Sequence, residues 1–254
     1  MKPMVYFSYG MTKCGTTLAY HMVSEALAQA GAEQNRLPDH LIGPNRKINF
    51  GAHFTATQAD ELWQAVQSIG HPIVVKTHTR PDPAIVQMMQ DGRAIAHACY
   101  RDPRDMALSM LDHGARARTA GNPAFSEIVT LDDAKNGIRN QCDSLTAWLR
   151  LPNILPLNFE NIAFDMPTTV QRLLDQLRIE GDPDRIIAKV LDGRFTQLNK
   201  GISKRHNAEM SAQNNREFAC EFAPFMALLL DNPRKHATDG SIILPPPHEL
   251  RDSV

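Results

Sequence analysis

The stretch Val5-Tyr6-Phe7-Ser8-Tyr9-Gly10-Met11-Thr12-Lys13-Cys14-Gly15-Thr16-Thr17-Leu18 decides how this chain folds. Val5 to Ser8 is a short apolar run with the length and composition of a buried strand, and a helical pattern takes over at about Thr17. From there to Ala30, the residues Leu18, Met22, Val23, Ala26, Leu27 and Ala30 make one apolar stripe, and Gly31 is placed to end the helix. A strand, a glycine-bearing turn and a helix in that order leave unpaired backbone N–H groups at the helix start, where the helix dipole adds positive potential. That is the local architecture of an anion cradle. Gly10 and Gly15 have the spacing of a phosphate loop, yet Thr16 stands where nucleoside triphosphatases place the lysine that reaches the β- and γ-phosphates. The loop lysine is Lys13 instead.

Further along, Pro72-Ile73-Val74-Val75-Lys76 reads as a second strand and Ala94 to Tyr100 as a third, entered through Asp91-Gly92. Asp102 and Pro103 are the N-cap and first residue of the helix that follows. A helical stretch from about Asp132 to Leu149 precedes a fourth strand, Ile154 to Phe159, and helices are predicted over about Thr168–Arg178, Asp182–Leu191 and Arg216–Leu230. Strand-like runs alternating with helical patterns predict an α/β fold, a central parallel β-sheet flanked by helices. Two segments lack regular patterning: residues 31–70, rich in His, Asn, Gly and Pro, and residues 193–215. Such lengths suit lids and substrate loops. Residues 240–254, with Pro245-Pro246-Pro247, read as a surface tail.

The 254 residues, 43% hydrophobic and 22% charged, fit one domain spanning 1–254. A formal net charge of -1 supplies no basic field for nucleic acid or anionic membrane, so any anion site must be local. Met1-Lys2-Pro3 leads into an apolar run too short for a signal peptide, and no later run is long enough to span a bilayer. Cys14, Cys99, Cys142 and Cys220 are scattered, without a CxxC pair, which fits a reducing, cytoplasmic compartment. No His/Cys cluster has metal-ligand spacing, so no metal is expected.

The loop Lys13-Cys14-Gly15-Thr16-Thr17 resembles the Lys-Ser-Gly-Thr-Thr signature of sulfotransferases that use 3′-phosphoadenosine 5′-phosphosulfate (PAPS) and release 3′-phosphoadenosine 5′-phosphate (PAP), with cysteine in place of the serine. Three further matches follow in order. Lys76-Thr77-His78 resembles the Lys-Thr-His of the cytosolic members, whose histidine is the catalytic base. Tyr100-Arg101-Asp102-Pro103-Arg104-Asp105, with Ser109 eight residues after Arg101, is similar to the family's 3′-phosphate site. Asn199-Lys200-Gly201 resembles a late Arg-Lys-Gly element that closes over the 3′-phosphate, without its arginine and without the glycine and tryptophan that usually follow; Lys204 or Arg205 is the candidate for the missing charge. Leu157-Asn158-Phe159-Glu160-Asn161 is a weaker match to an aromatic-Glu-Asp segment, placing Phe159 near the adenine. Leu18 replaces the family's adenine-stacking tryptophan.

The resemblance implies a P-loop-like sulfotransferase architecture and in-line sulfuryl transfer to a hydroxyl or amine of a small-molecule or glycan acceptor. His78 would take the acceptor proton at a pKa near 6.5. Lys13 would neutralise the leaving 5′-phosphate, and Lys76 would contact the transferring group. Backbone N–H groups from Cys14 to Thr17 and the hydroxyls of Thr16 and Thr17 would hold the phosphosulfate, and Arg101 and Ser109 the 3′-phosphate. A homodimer is compatible with this reading. A small-molecule or nucleotide kinase needs the lysine after Gly15 and an acidic Mg²⁺ partner, and neither is evident. A nucleotide-binding module without turnover does not need both Lys13 and His78. His40, His53, Phe50, Phe54 and Trp63 fall within residues 31–70, where an acceptor pocket has room to form, and each serves equally well as loop packing.

Overall fold

The computed structural model describes residues 1–43, 48–192 and 202–230. In chain order the elements are β1 (Val5–Gly10), α1 (Thr16–Gln29), α2 (Asp39–Ile42), α3 (Ala56–Ile69), β2 (Ile73–Thr77), α4 (Pro83–Gln90), β3 (Ala94–Tyr100) and α5 (Pro103–Thr119). They continue with α6 (Leu131–Leu149), β4 (Ile154–Asn158), α7 (Phe159–Phe164), α8 (Met166–Leu177), α9 (Pro183–Leu191), α10 (His206–Glu209), α11 (Ala212–Glu221) and α12 (Ala223–Leu230).

The four strands form one parallel sheet in the order β2-β1-β3-β4. All six residues of β1 are buried because a strand with neighbours on both edges and helices on both faces has no wet side. Phe7 and Tyr9 point to one face, against Trp148 of α6, whose ring stacks on Tyr9 at 5.0 Å. Tyr6 points to the other, where its hydroxyl donates to Gln176 of α8 at 2.7 Å. Ser8, on the same face as Tyr6, meets His97 of β3 at 2.9 Å, and burial lowers that imidazole to about 3, so it stays neutral inside the sheet. The chain leaves β1 for β2 on one side and then crosses to β3 on the other. Such a reversal of strand order opens a crevice at the carboxyl ends of the strands, here between the loops that follow β1 and β3.

Three expectations change. Residues 31–70 are not irregular throughout: α3 fills 56–69, begun by a reciprocal capping box in which Thr55 and Gln58 each satisfy the other's backbone N–H. Residues 49–51 pair with β2, through Lys76 N–H to the Asn49 carbonyl at 2.7 Å and Gly51 N–H to the Lys76 carbonyl at 2.9 Å. The fourth strand stops at Asn158, whose side chain accepts from the Glu160 N–H and caps α7, so Phe159 opens a helix instead of ending a strand. The expected loop at 193–215 is described from residue 202 onward, where α10 and the start of α11 fall within it. The tail at 240–254 and the Asn199-Lys200-Gly201 element lie outside the described residues.

Candidate active site

The β1–α1 loop is shaped by backbone constraint before any side chain acts. Gly15 has φ of 75°, and Lys13 has φ of 64°, a left-handed conformation that costs a non-glycine residue about 1 kcal/mol or more. A Cβ on Gly10 would sit 2.4 Å from Thr16 Cγ2 and 2.7 Å from Cys99 Cβ, so the loop is wedged against β3 where only glycine fits. Among the described residues, no acceptor within the protein receives the N–H groups of Lys13, Cys14, Gly15, Thr16 and Thr17, and α1 has no side-chain cap. A run of free N–H groups at the start of a fourteen-residue helix is an anion cradle built from main chain alone.

Three strand ends supply charge around it. From β2, the buried Lys76 ammonium donates to Thr17 Oγ1 at 2.8 Å, and burial lowers it to about 8. Two residues on, His78 Nδ1 lies 2.7 Å from the Gly10 carbonyl oxygen, which fixes the proton on Nδ1 and leaves the Nε2 lone pair free. Burial, with Lys76 nearby, lowers His78 to about 4, well below the unperturbed value expected from sequence, although its bond to Gly10 acts in the opposite sense. The Phe50 ring lies 5.7 Å from the imidazole. From β1, Lys13 donates to His113 Nδ1 of α5 at 3.3 Å; burial and the neighbouring Arg116 and Arg101 charges lower its pKa.

From β3, Arg101 is buried and stacked on the Phe159 ring, its guanidinium carbon 3.8 Å from the ring centroid. Its nearest acceptors are distant: the Lys13 carbonyl at 3.4 Å, the Ile202 carbonyl at 3.3 Å and Asp105 Oδ2 at 3.5 Å, while Nε has no partner. A buried cation with an unsatisfied donor and only long contacts is under-coordinated by its own protein, the condition in which an anion is welcome. Ser109 lies buried on α5, one turn beyond Asp105 on the same side.

The fold thus brings together Lys13, Cys14, Gly15, Thr16, Thr17, Lys76, His78 and Arg101, with Ser109 on the adjoining helix. It does not do so for every expected residue. Leu18 is fully buried in the core and offers no side-chain surface to an adenine. Phe159 packs under Arg101 and against Gly15, which its helical start dictates. Cys14 faces inward, its Sγ directed at the Thr12 carbonyl, so only its backbone joins the cradle. Arg205 is held by Glu209 at 2.6 Å and Asp112 at 2.9 Å and supplies no free charge, whereas Lys204 is exposed. Of the expected acceptor residues, His40 pairs with Glu61, His53 with Asp82, Phe54 packs on Phe7 and Trp63 rests against the core; Phe50 alone of these reaches His78. Gln141 of α6, which accepts the Thr12 N–H at 2.6 Å, gave no sequence signal, being 129 residues away. His113 had one, at i+4 from Ser109 on α5. Among the described residues, no group of three or more His, Cys, Asp or Glu is placed to hold a metal ion, and no helix is long and apolar enough to cross a membrane.

The sulfotransferase domain model matches residues 6–221. The chain belongs to the sulfotransferase family. Solved sulfotransferase-fold structures share its architecture at low identity. A mouse sulfotransferase complexed with PAP is 16% identical, over 87% of this chain and 84% of that one, with a TM-score of 0.55. A retinol dehydratase in complex with retinol and PAP is 14% identical, over 86% and 80%, with a TM-score of 0.51. No curated protein matches the chain by sequence. Within the matched span, Lys13-Cys14-Gly15-Thr16-Thr17 forms the strand-to-helix turn after β1 and Lys76-Thr77-His78 closes β2.

Proposed function

We propose that this sulfotransferase transfers the sulfuryl group of PAPS to a hydroxyl or amine of a small-molecule or glycan acceptor, with His78 as general base. The observation that supports it most is the cradle of free N–H groups from Lys13 to Thr17 flanked by Lys13, Lys76 and Arg101, with the loop cation in the turn itself and threonine after Gly15. When bound, PAPS supplies an activated sulfuryl group whose departure leaves charge on the 5′-phosphate. The main-chain cradle and the Thr16 and Thr17 hydroxyls bind that phosphate, and Lys13 and Lys76 balance its growing charge. Arg101 and Ser109 hold the 3′-phosphate. His78 Nε2 accepts the acceptor proton as the new O–S bond forms and the bond to the leaving phosphate breaks. Phe50 beside His78 supports the acceptor lying against residues 31–70, and four cysteines scattered along the chain without a CxxC pair support a cytoplasmic setting.

The test is a thermal-shift series with PAP, PAPS, ADP and ATP at equal concentrations, each with and without a chelator, since a ligand that binds only the folded state stabilises it by an amount that grows with the logarithm of its concentration over its Kd. PAP without Mg²⁺ is expected to give the largest shift. Preference for ATP, or an absolute need for Mg²⁺, would return the protein to the kinase reading. Release of PAP in the presence of an acceptor mixture separates an enzyme from a binding module.

A further inference from the structure

Asp105, one turn into α5, is fully buried beside Arg101. A carboxylate so close to a guanidinium ordinarily closes on it in a two-point pair at about 2.7 to 2.9 Å and cancels much of its charge. Here the distance from Asp105 Oδ2 to Arg101 Nη2 is 3.5 Å. The carboxylate is engaged elsewhere: Oδ1 accepts both the backbone N–H of His206, at 3.0 Å, and its ring Nδ1–H, at 2.9 Å. His206 is itself buried and sits at the start of α10, and Arg205 beside it is fastened to Asp112 and Glu209, so the donor pair is fixed in place.

We propose that His206 determines donor specificity by occupying Asp105: two N–H groups hold the carboxylate back from Arg101, so that the guanidinium N–H donors stay open to the 3′-phosphate. This rests on the reading of Arg101 as the 3′-phosphate ligand. His206 is on this view a positioning residue and touches no substrate. Without its imidazole only the backbone N–H still holds Oδ1, the carboxylate can turn toward Arg101, the pair closes, and an incoming phosphate must displace a buried carboxylate.

The experiment is calorimetric titration of PAP and of adenosine 5′-phosphate, which lacks the 3′-phosphate, into the full chain and four variants. Wild type is expected to prefer PAP. His206→Ala should lose on the order of tenfold or more of that preference with its affinity for adenosine 5′-phosphate unchanged, as expected for losing a charge-assisted contact. His206→Asn, whose side-chain amide replaces the Nδ1 donor, should retain the preference. Combining Asp105→Asn with His206→Ala should restore it, because the competing charge is gone; a merely structural seat predicts the opposite. Asp105→Asn alone, which still accepts from His206, should leave the preference equal or higher and decides the matter even where His206→Ala does not fold. Undiminished preference in His206→Ala, no recovery in the double variant, or loss in Asp105→Asn each overturns the proposal. A wild-type protein that does not prefer PAP instead overturns the Arg101 reading beneath it.

Discussion

Burial and Lys76 hold His78 at about 4 against an ordinary 6.5, a displacement worth about 3 kcal/mol against the imidazolium. At pH 7 roughly one molecule in a thousand then carries the charge. The neutral form is the base, so acid inactivates the free enzyme only as pH falls through about 4, and no break belongs near 6.5. Folding stability follows the same sign. The unfolded chain binds a proton at His78 that the folded chain refuses, so stability contributed by this group is lost as pH drops from 6.5 toward 4. The direct assay is proton NMR titration of the imidazole resonance, assigned by its disappearance in His78→Asn, first without ligand and then with PAP. The ligand-free midpoint is expected near 4, and the anionic ligand should move it upward. The same variant should keep PAP affinity while slowing turnover on the order of 10² to 10⁴-fold. A ligand-free midpoint near 6.5 would show that the imidazole is hydrated and that burial beside Lys76 does not govern its charge. Unimpaired turnover in His78→Asn would remove it from the chemistry altogether.

Lys76 at about 8 is half deprotonated at pH 8, and a bound phosphate should restore its proton; PAP binding at that pH should take up about half a proton per site, measured as a dependence of calorimetric heat on buffer ionisation enthalpy. Binding without proton uptake would place the 5′-phosphate away from Lys76. Arg101→Ala should weaken PAP by about 1.5 to 3 kcal/mol and adenosine 5′-phosphosulfate far less, since only PAP has the 3′-phosphate; equal losses would assign Arg101 to the fold. Gly10→Ala should destabilise the protein by about 1 to 3 kcal/mol in denaturant unfolding, because the new Cβ meets both Thr16 and Cys99. Unchanged stability there would mean that the loop yields where its packing against β3 says it cannot.

The local half of the protein was legible in its sequence. Strand, turn and helix around Lys13-Cys14-Gly15-Thr16-Thr17, the N-cap Asp102 with Pro103, and the ends of β3 and α6 within a residue all follow from short-range rules, namely apolar periodicity, capping and the φ that proline and glycine allow. The order of Lys13, Lys76-Thr77-His78 and Arg101 along the chain could be read as one site because parallel strands all end at the same edge. What the sequence could not give was anything set by partners distant along the chain. By sequence Phe159 ends a strand, whereas it opens a helix because Asn158 caps it; Arg205 is by sequence a candidate spare cation, whereas Glu209 and Asp112 close on it. By residue type His78 has an ordinary histidine pKa; burial beside Lys76 lowers it, and the bond from its Nδ1 to Gly10, 68 residues earlier, sets its tautomer. Residue type and spacing determine which groups reach the crevice. Their charge, tautomer and freedom to bind are properties of burial and long-range contact, which only the tertiary structure decides.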